Sequence, residues 1–187
     1  RARGIPLTIL PELVREISPA KDLTALVKLT RFMRRGRYHV VHTHSSKAGI
    51  LGRIAARLAG VPVIVHTVHG WGFYPGQRPA VHALYVALEK LSGRCCDKLI
   101  VVSRLNAEKG LAEGISRPEK YVPIFSGIDV ETYAHPAVGR AATRAGLGIP
   151  ADVPVIGTVG RLSPQKAPLD WLRAAAVVAQ AVPAARF

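Results

Sequence analysis

Cysteine is almost absent from this sequence, and the only two, Cys95 and Cys96, are adjacent. Neighbouring cysteines make a strained bridge and lack the spacing of a metal knuckle, so no disulfide framework and no metal are expected. They read as reduced thiols at a helix end, in a reducing compartment. No apolar run approaches the roughly 20 residues that span a bilayer, and the N-terminus does not look like a signal peptide. Aromatics make up only 6% of the chain and do not interleave with the cations, which argues against a nucleic-acid partner. There is no G-x-S-x-G, no H-E-x-x-H, no P-loop and no G-x-G-x-x-G after a strand, so the chemistries those motifs serve have no fingerprint here.

Acids are scarce too: 12 Asp and Glu against 26 Lys and Arg give a formal net charge of +14. The excess is uneven, because residues 1–57 hold twelve cations and only Glu12, Glu16 and Asp22 as acids. Lys28, Arg31, Arg34, Arg35 and Arg37 crowd one helix and its end. Such a patch suits nucleic acid, anionic lipid or an anionic substrate, or is simply a solvated face of an arginine-rich protein.

What the sequence does have is alternation. Apolar runs at Ile5–Leu10, Tyr38–His44, Val61–Thr67, Lys98–Val102 and Tyr121–Phe125 read as strands, with Val40 and Val41 marking a buried parallel strand. Helices are expected at about 20–35, 47–58, 79–91 and 104–111, with Ser18, Ser45-Ser46 and Ser103 as caps. Strands alternating with helices argue for an α/β class, a doubly wound parallel sheet. The domain reading is 1–125 as a first Rossmann-like domain, 126–153 as a poorly periodic linker, and 154–187 as the first β-loop-α unit of a second. In that unit Val155–Val159 is a buried strand, Gly160 a turn, and Pro168 stands at a helix's first turn, where a missing N–H is tolerated. The chain opens on Arg1, not methionine, and ends where a further strand is expected, so it reads as a piece cut at both ends.

Ligands of open α/β sheets collect at the C-terminal ends of the strands. Arg161 and Lys166 fall there, beside a helix N-terminus that favours anions, and together suit a diphosphate; solvated surface cations are the plain alternative. His42-Thr43-His44-Ser45 ends another strand, with His42 read as structural and His44 and Ser45 as lining a pocket. His69-Gly70 follows the next strand, the glycine admitting a ligand close to backbone and the imidazole able to donate to a hydroxyl or a developing anionic oxygen.

G-R-L-S-P-Q-K at 160–166 resembles the G-R-x-x-x-x-K segment of GT-B glycosyltransferases of family 4, with Ala167 where that family usually has glycine. The run from His42 through His69-Gly70 is similar to bacterial members that build polysaccharides, and Ser126-Gly-Ile-Asp129 resembles the N-G-I-D turn linking their two domains. The likeness covers roughly 38–187 well and 1–37 loosely. It implies a GT-B architecture and retaining transfer of a sugar from a UDP- or GDP-sugar to a glycan or lipid-linked acceptor, with no cofactor. Gly160, Arg161 and Lys166 would hold the donor diphosphate. His69 would lie beside the transferred sugar, and His44, Ser45, Gly70 and Ser103 would line the pocket. The basic start would rest on an anionic membrane surface, placing the protein in the cytoplasm or on the inner face of the membrane. The piece alone is expected to be inactive. A GT-B nucleotide-sugar epimerase and a non-enzymatic basic binding module are the rival readings.

Overall fold

The computed structural model describes residues 4, 6–14, 16–74, 76–163 and 166–187. Arg1, Arg3 and Arg15 of the basic region, Ile5, the loop residue Pro75, and Pro164 and Gln165 of the 160–166 segment lie outside them. The chain divides into two compact units, Arg1–Gly127 and Ile128–Phe187.

The first unit is built on four parallel strands in the order β1 (Val40–His44), β2 (Val63–Val68), β3 (Lys98–Val101), β4 (Tyr121–Pro123). Between and before them run α1 (Pro19–Gly36), α2 (Ser46–Ala59), α3 (Pro79–Arg94) and α4 (Arg104–Ala112). The register pairs Thr43 with His66 and His66 with Leu99, so Val41, Thr43, Ile64, His66, Val68, Leu99 and Val101 share one face. Helices pack there: Met33 of α1 and Ala55 and Ala56 of α2 join Ile64, Val68, Leu99 and Val101 in the main core. Two glycines let α2 come close. A Cβ on Gly49 would stand 2.3 Å from the His66 ring, and one on Gly52 2.8 Å from the Thr43 methyl.

The opposite face differs from expectation. Val40, His42, His44 and Val63 are exposed, so nothing among the described residues covers this side of β1. The apolar pair Val40-Val41 therefore does not mark a strand buried on both sides; Val41 faces the core and Val40 is 55% exposed. Residues 6–10 are irregular and not a strand, since an isolated apolar run has no ladder partner to satisfy its backbone.

The second unit holds α5 (Val130–Ala134), α6 (Arg140–Gly146) and α7 (Pro168–Ala181). Short helices thus occupy part of the stretch read as a linker. The buried strand expected at 155–159 is reduced to a single parallel bridge from Val155 to Arg186, and Val155 and Val159 are exposed. A single bridged pair cannot bury a strand on two faces. α7 begins at Pro168 as the turn chemistry demands.

Candidate functional site

His42, His44 and His69 share the open face of the sheet at the C-terminal ends of β1 and β2. Alternation puts His42 and His44 on one side, and the parallel register sets His44 against Thr67, two residues before His69. His44 Nδ1 lies 3.0 Å from His69 Nε2 and the two rings stack with centroids 5.3 Å apart. His42 tilts over His44 at 4.2 Å and fixes its own Nε2 on the Thr67 hydroxyl at 2.7 Å. Partial burial, then the neighbouring His42 and His69, hold the His44 imidazole below its usual pKa, so it is neutral at pH 7. One nitrogen of His44 and one of His69 are thereby committed to each other. If His44 Nδ1 donates, neutral His69 keeps an Nδ1–H for a ligand; if it accepts, His69 Nδ1 is left as an acceptor.

Ser45 takes a backbone conformation (φ 66°, ψ 162°) that is essentially reserved for glycine, and its side chain makes no capping bond to α2. The expected Ser45 cap is therefore absent, because the chain must turn sharply off β1 into α2 and points the hydroxyl elsewhere. Gly70 faces open space, with nothing within 4 Å of an added Cβ. Ser103, at the end of β3, is a helix cap: its hydroxyl accepts the Asn106 N–H at 3.2 Å.

Behind the histidines the sheet hides a polar layer that periodicity does not reveal. His66 Nδ1 meets the Thr43 hydroxyl at 2.9 Å, and burial, with Arg53 nearby, pushes its pKa down to about 3. Arg53 and Glu89 form a fully buried pair at 2.7 Å that ties α2 to α3. Burial raises the Glu89 carboxyl, and the Arg53 guanidinium opposes that rise. In the sequence Arg53 and Arg57 look alike on α2; only Gly49, one turn before Arg53, hints that its side of the helix lies against the sheet.

In the second unit Arg161 and Lys166 are exposed, and the Lys166 stem lies 3.8 Å from the position of a Cβ on Gly160. The helix start beside them has no side-chain cap, and Ala167 adopts the left-handed conformation (φ 46°) that glycine favours. A cavity of about 410 Å³ opens at this helix start, with Ser163, Ala167 and Pro168 in its wall and Asp170 held by Arg173 at 2.8 Å.

The glycosyl transferase 4-like domain model matches residues 1–127, the whole of the first unit. The chain belongs to that family. Within the family it is 43% identical over 166 residues to a UDP-Gal:alpha-D-GlcNAc-diphosphoundecaprenol alpha-1,3-galactosyltransferase of Escherichia coli, covering 88% of this chain and 43% of that protein. A D-inositol 3-phosphate glycosyltransferase of Thermobispora bispora is 32% identical over 162 residues, covering 83% of this chain and 37% of the relative. The chain thus spans less than half the length of these curated relatives. A crystal structure of a glycosyltransferase from Rickettsia africae shares the fold with a TM-score of 0.51 at 19% identity, over 80% of this chain and 38% of that one. In this glycosyl transferase 4-like domain, the residues brought together at one edge are His42, His44, Ser45, His69 and Gly70.

Proposed function

We propose that this chain is part of a retaining hexosyltransferase that moves a sugar from a nucleotide-sugar to a lipid-diphosphate-linked acceptor. The observation that carries the reading is the His44–His69 pair, exposed at the sheet edge where α/β folds bind ligands, in a chain of this family. The name of the 43% identical relative makes UDP-galactose the first donor to test and a GlcNAc-diphospholipid the first acceptor. His69 donates to a hydroxyl or developing anionic oxygen of the transferred sugar, and His44 fixes its ring. Ser45 and Gly70 shape the acceptor pocket, and Ser103 borders it. Arg161 and Lys166 take the diphosphate, the first by its fork and the second as a point charge, with Gly160 giving the backbone room to approach. Two cations at the leaving group do the charge stabilisation that a divalent metal supplies elsewhere, so chelators should leave the rate unchanged.

The outward face of α1 supports docking to an anionic membrane. Lys21, Lys28, Arg31, Arg34 and Arg35 are exposed together with the apolar Leu23, Val27 and Phe32. A cationic face carrying apolar side chains is what an interfacial helix presents to anionic headgroups.

The test is to incubate the full enzyme of which this chain is part with labelled UDP-galactose and a GlcNAc-diphospholipid, with and without EDTA. Label in the lipid fraction, α-linked and insensitive to EDTA, is the expected result. A free sugar epimer without acceptor, or no sugar product at all, would overturn the reading.

A further inference from the structure

We infer that an apolar groove between the start of α1, α2 and α3 holds the part of the acceptor's hydrocarbon chain nearest its diphosphate. This rests on the lipid-linked acceptor proposed above and assigns the residues that would read the lipid. The groove has a volume of about 210 Å³, with Ile17, Leu51, Ile54, Leu84 and Leu88 in its walls. On α2 the lining positions are Lys47, Ile50, Leu51 and Ile54, a stripe at i, i+3, i+4 and i+7. It therefore runs for about 10 Å along the helix.

Its direction is what connects it to the site. The Lys47 end is the start of α2, immediately after His44, Ser45 and Ser46. There Tyr85 of the groove packs under the loop that carries His69: a Cβ on Gly72 would meet the Tyr85 ring at 2.8 Å and the Ser46 Cβ at 3.2 Å. The groove thus begins where the candidate acceptor pocket ends.

Chemistry selects the occupant. Among the described residues the charged lining groups, Lys47 and Asp22, neutralise each other at 2.5 Å, and Lys47 also donates to the Glu16 carbonyl. With Tyr85 as the one other polar side chain, the walls offer a saccharide almost no partners for its hydroxyls, which would cost it its hydration. The groove takes a short stretch of chain, and the remainder stays in the bilayer.

The experiment uses the full enzyme of which this chain is part and compares two acceptors with the same diphosphate sugar, one on a long isoprenoid chain and one on a short water-soluble alkyl group. The variants are Leu84→Glu, which puts a charge on an already half-exposed wall position, and Ile17→Trp, which fills the groove from an exposed loop. Both should raise KM for the long-chain acceptor by about tenfold and leave KM and kcat for the short one unchanged. Equal effects on both acceptors, or none on the long-chain one, would overturn the groove. So would a wild-type protein with the same KM for both, even though transfer itself stands. Wild-type transfer to neither acceptor would remove the functional reading as well. A dimer that Leu84→Glu dissolves, seen by sedimentation, would assign the groove to a second copy and overturn the lipid.

Discussion

Ala167 and Ser45 occupy backbone conformations that suit glycine, at the two loops where the site residues gather. A left-handed non-glycine residue costs about 1–2 kcal/mol, whereas glycine's extra unfolded-state freedom costs about 0.4–1 kcal/mol. Ala167→Gly should therefore raise the denaturation midpoint of the second unit slightly and Ala167→Val should lower it. A fall with glycine would contradict the assigned loop shape. His66 carries a second residue-level prediction. Its pKa of about 3 in the folded chain lies below the ordinary 6.5, so the folded state binds fewer protons than the unfolded one between those values. Stability is full above about pH 6.5 and is lost as pH falls toward 3, by on the order of a few kcal/mol. Thermal melts from pH 7.5 to 4 should show this slope, and His66→Gln should flatten it; an unchanged slope would contradict a neutral buried His66. Of these, only Ala167 was marked in the sequence, by standing where the resembled family usually has glycine; the Ser45 conformation and the buried His66 are not legible there. Ser45-Ser46 reads as an ordinary cap, and His66 looks like His42 and His44 until alternation and register send it to the helix-covered face.

At the scale of elements, α2 is held against the sheet by what it lacks at Gly49 and Gly52 and by the Arg53–Glu89 pair to α3. Removing one partner of a buried pair strands the other, at a cost of about 3–5 kcal/mol. Arg53→Ala should lose that much in urea denaturation, while Arg53→Met combined with Glu89→Leu should recover most of it. A near-neutral Arg53→Ala would show that solvent reaches the pair. The strands and helices of the first unit were readable because turn residues such as Gly36, Gly60 and Ser103 punctuate runs of clear period. The runs at 6–10 and 155–159 were equally apolar but did not form strands. A strand is a property of pairs, and periodicity within one run says nothing about its neighbour. The Arg53–Glu89 pair was invisible for the same kind of reason: its partners are 36 residues apart and on different helices.

At the scale of the molecule, part of the charge excess of the first 57 residues lies on one outward face of α1, where Lys21, Arg31, Arg34 and Arg35 are exposed while Lys28 is paired with Glu12. At about 1 kcal/mol per cation near an anionic surface, four such residues would give reversible docking that salt weakens. Co-sedimentation with phosphatidylglycerol vesicles should fall steeply between low and high salt and drop further for Arg31→Glu/Arg35→Glu. Binding indifferent to salt would contradict it. The imidazole pair at the sheet edge was half legible, because H-T-H-S and H-G each pointed to a strand end while their 3.0 Å contact needed the register between β1 and β2. The most direct test of that edge as the transfer site is the rate of sugar transfer by His69→Ala. In the full enzyme a loss of kcat of about a hundredfold or more with an unchanged melting temperature is expected. A variant that transfers sugar at the wild-type rate would contradict it.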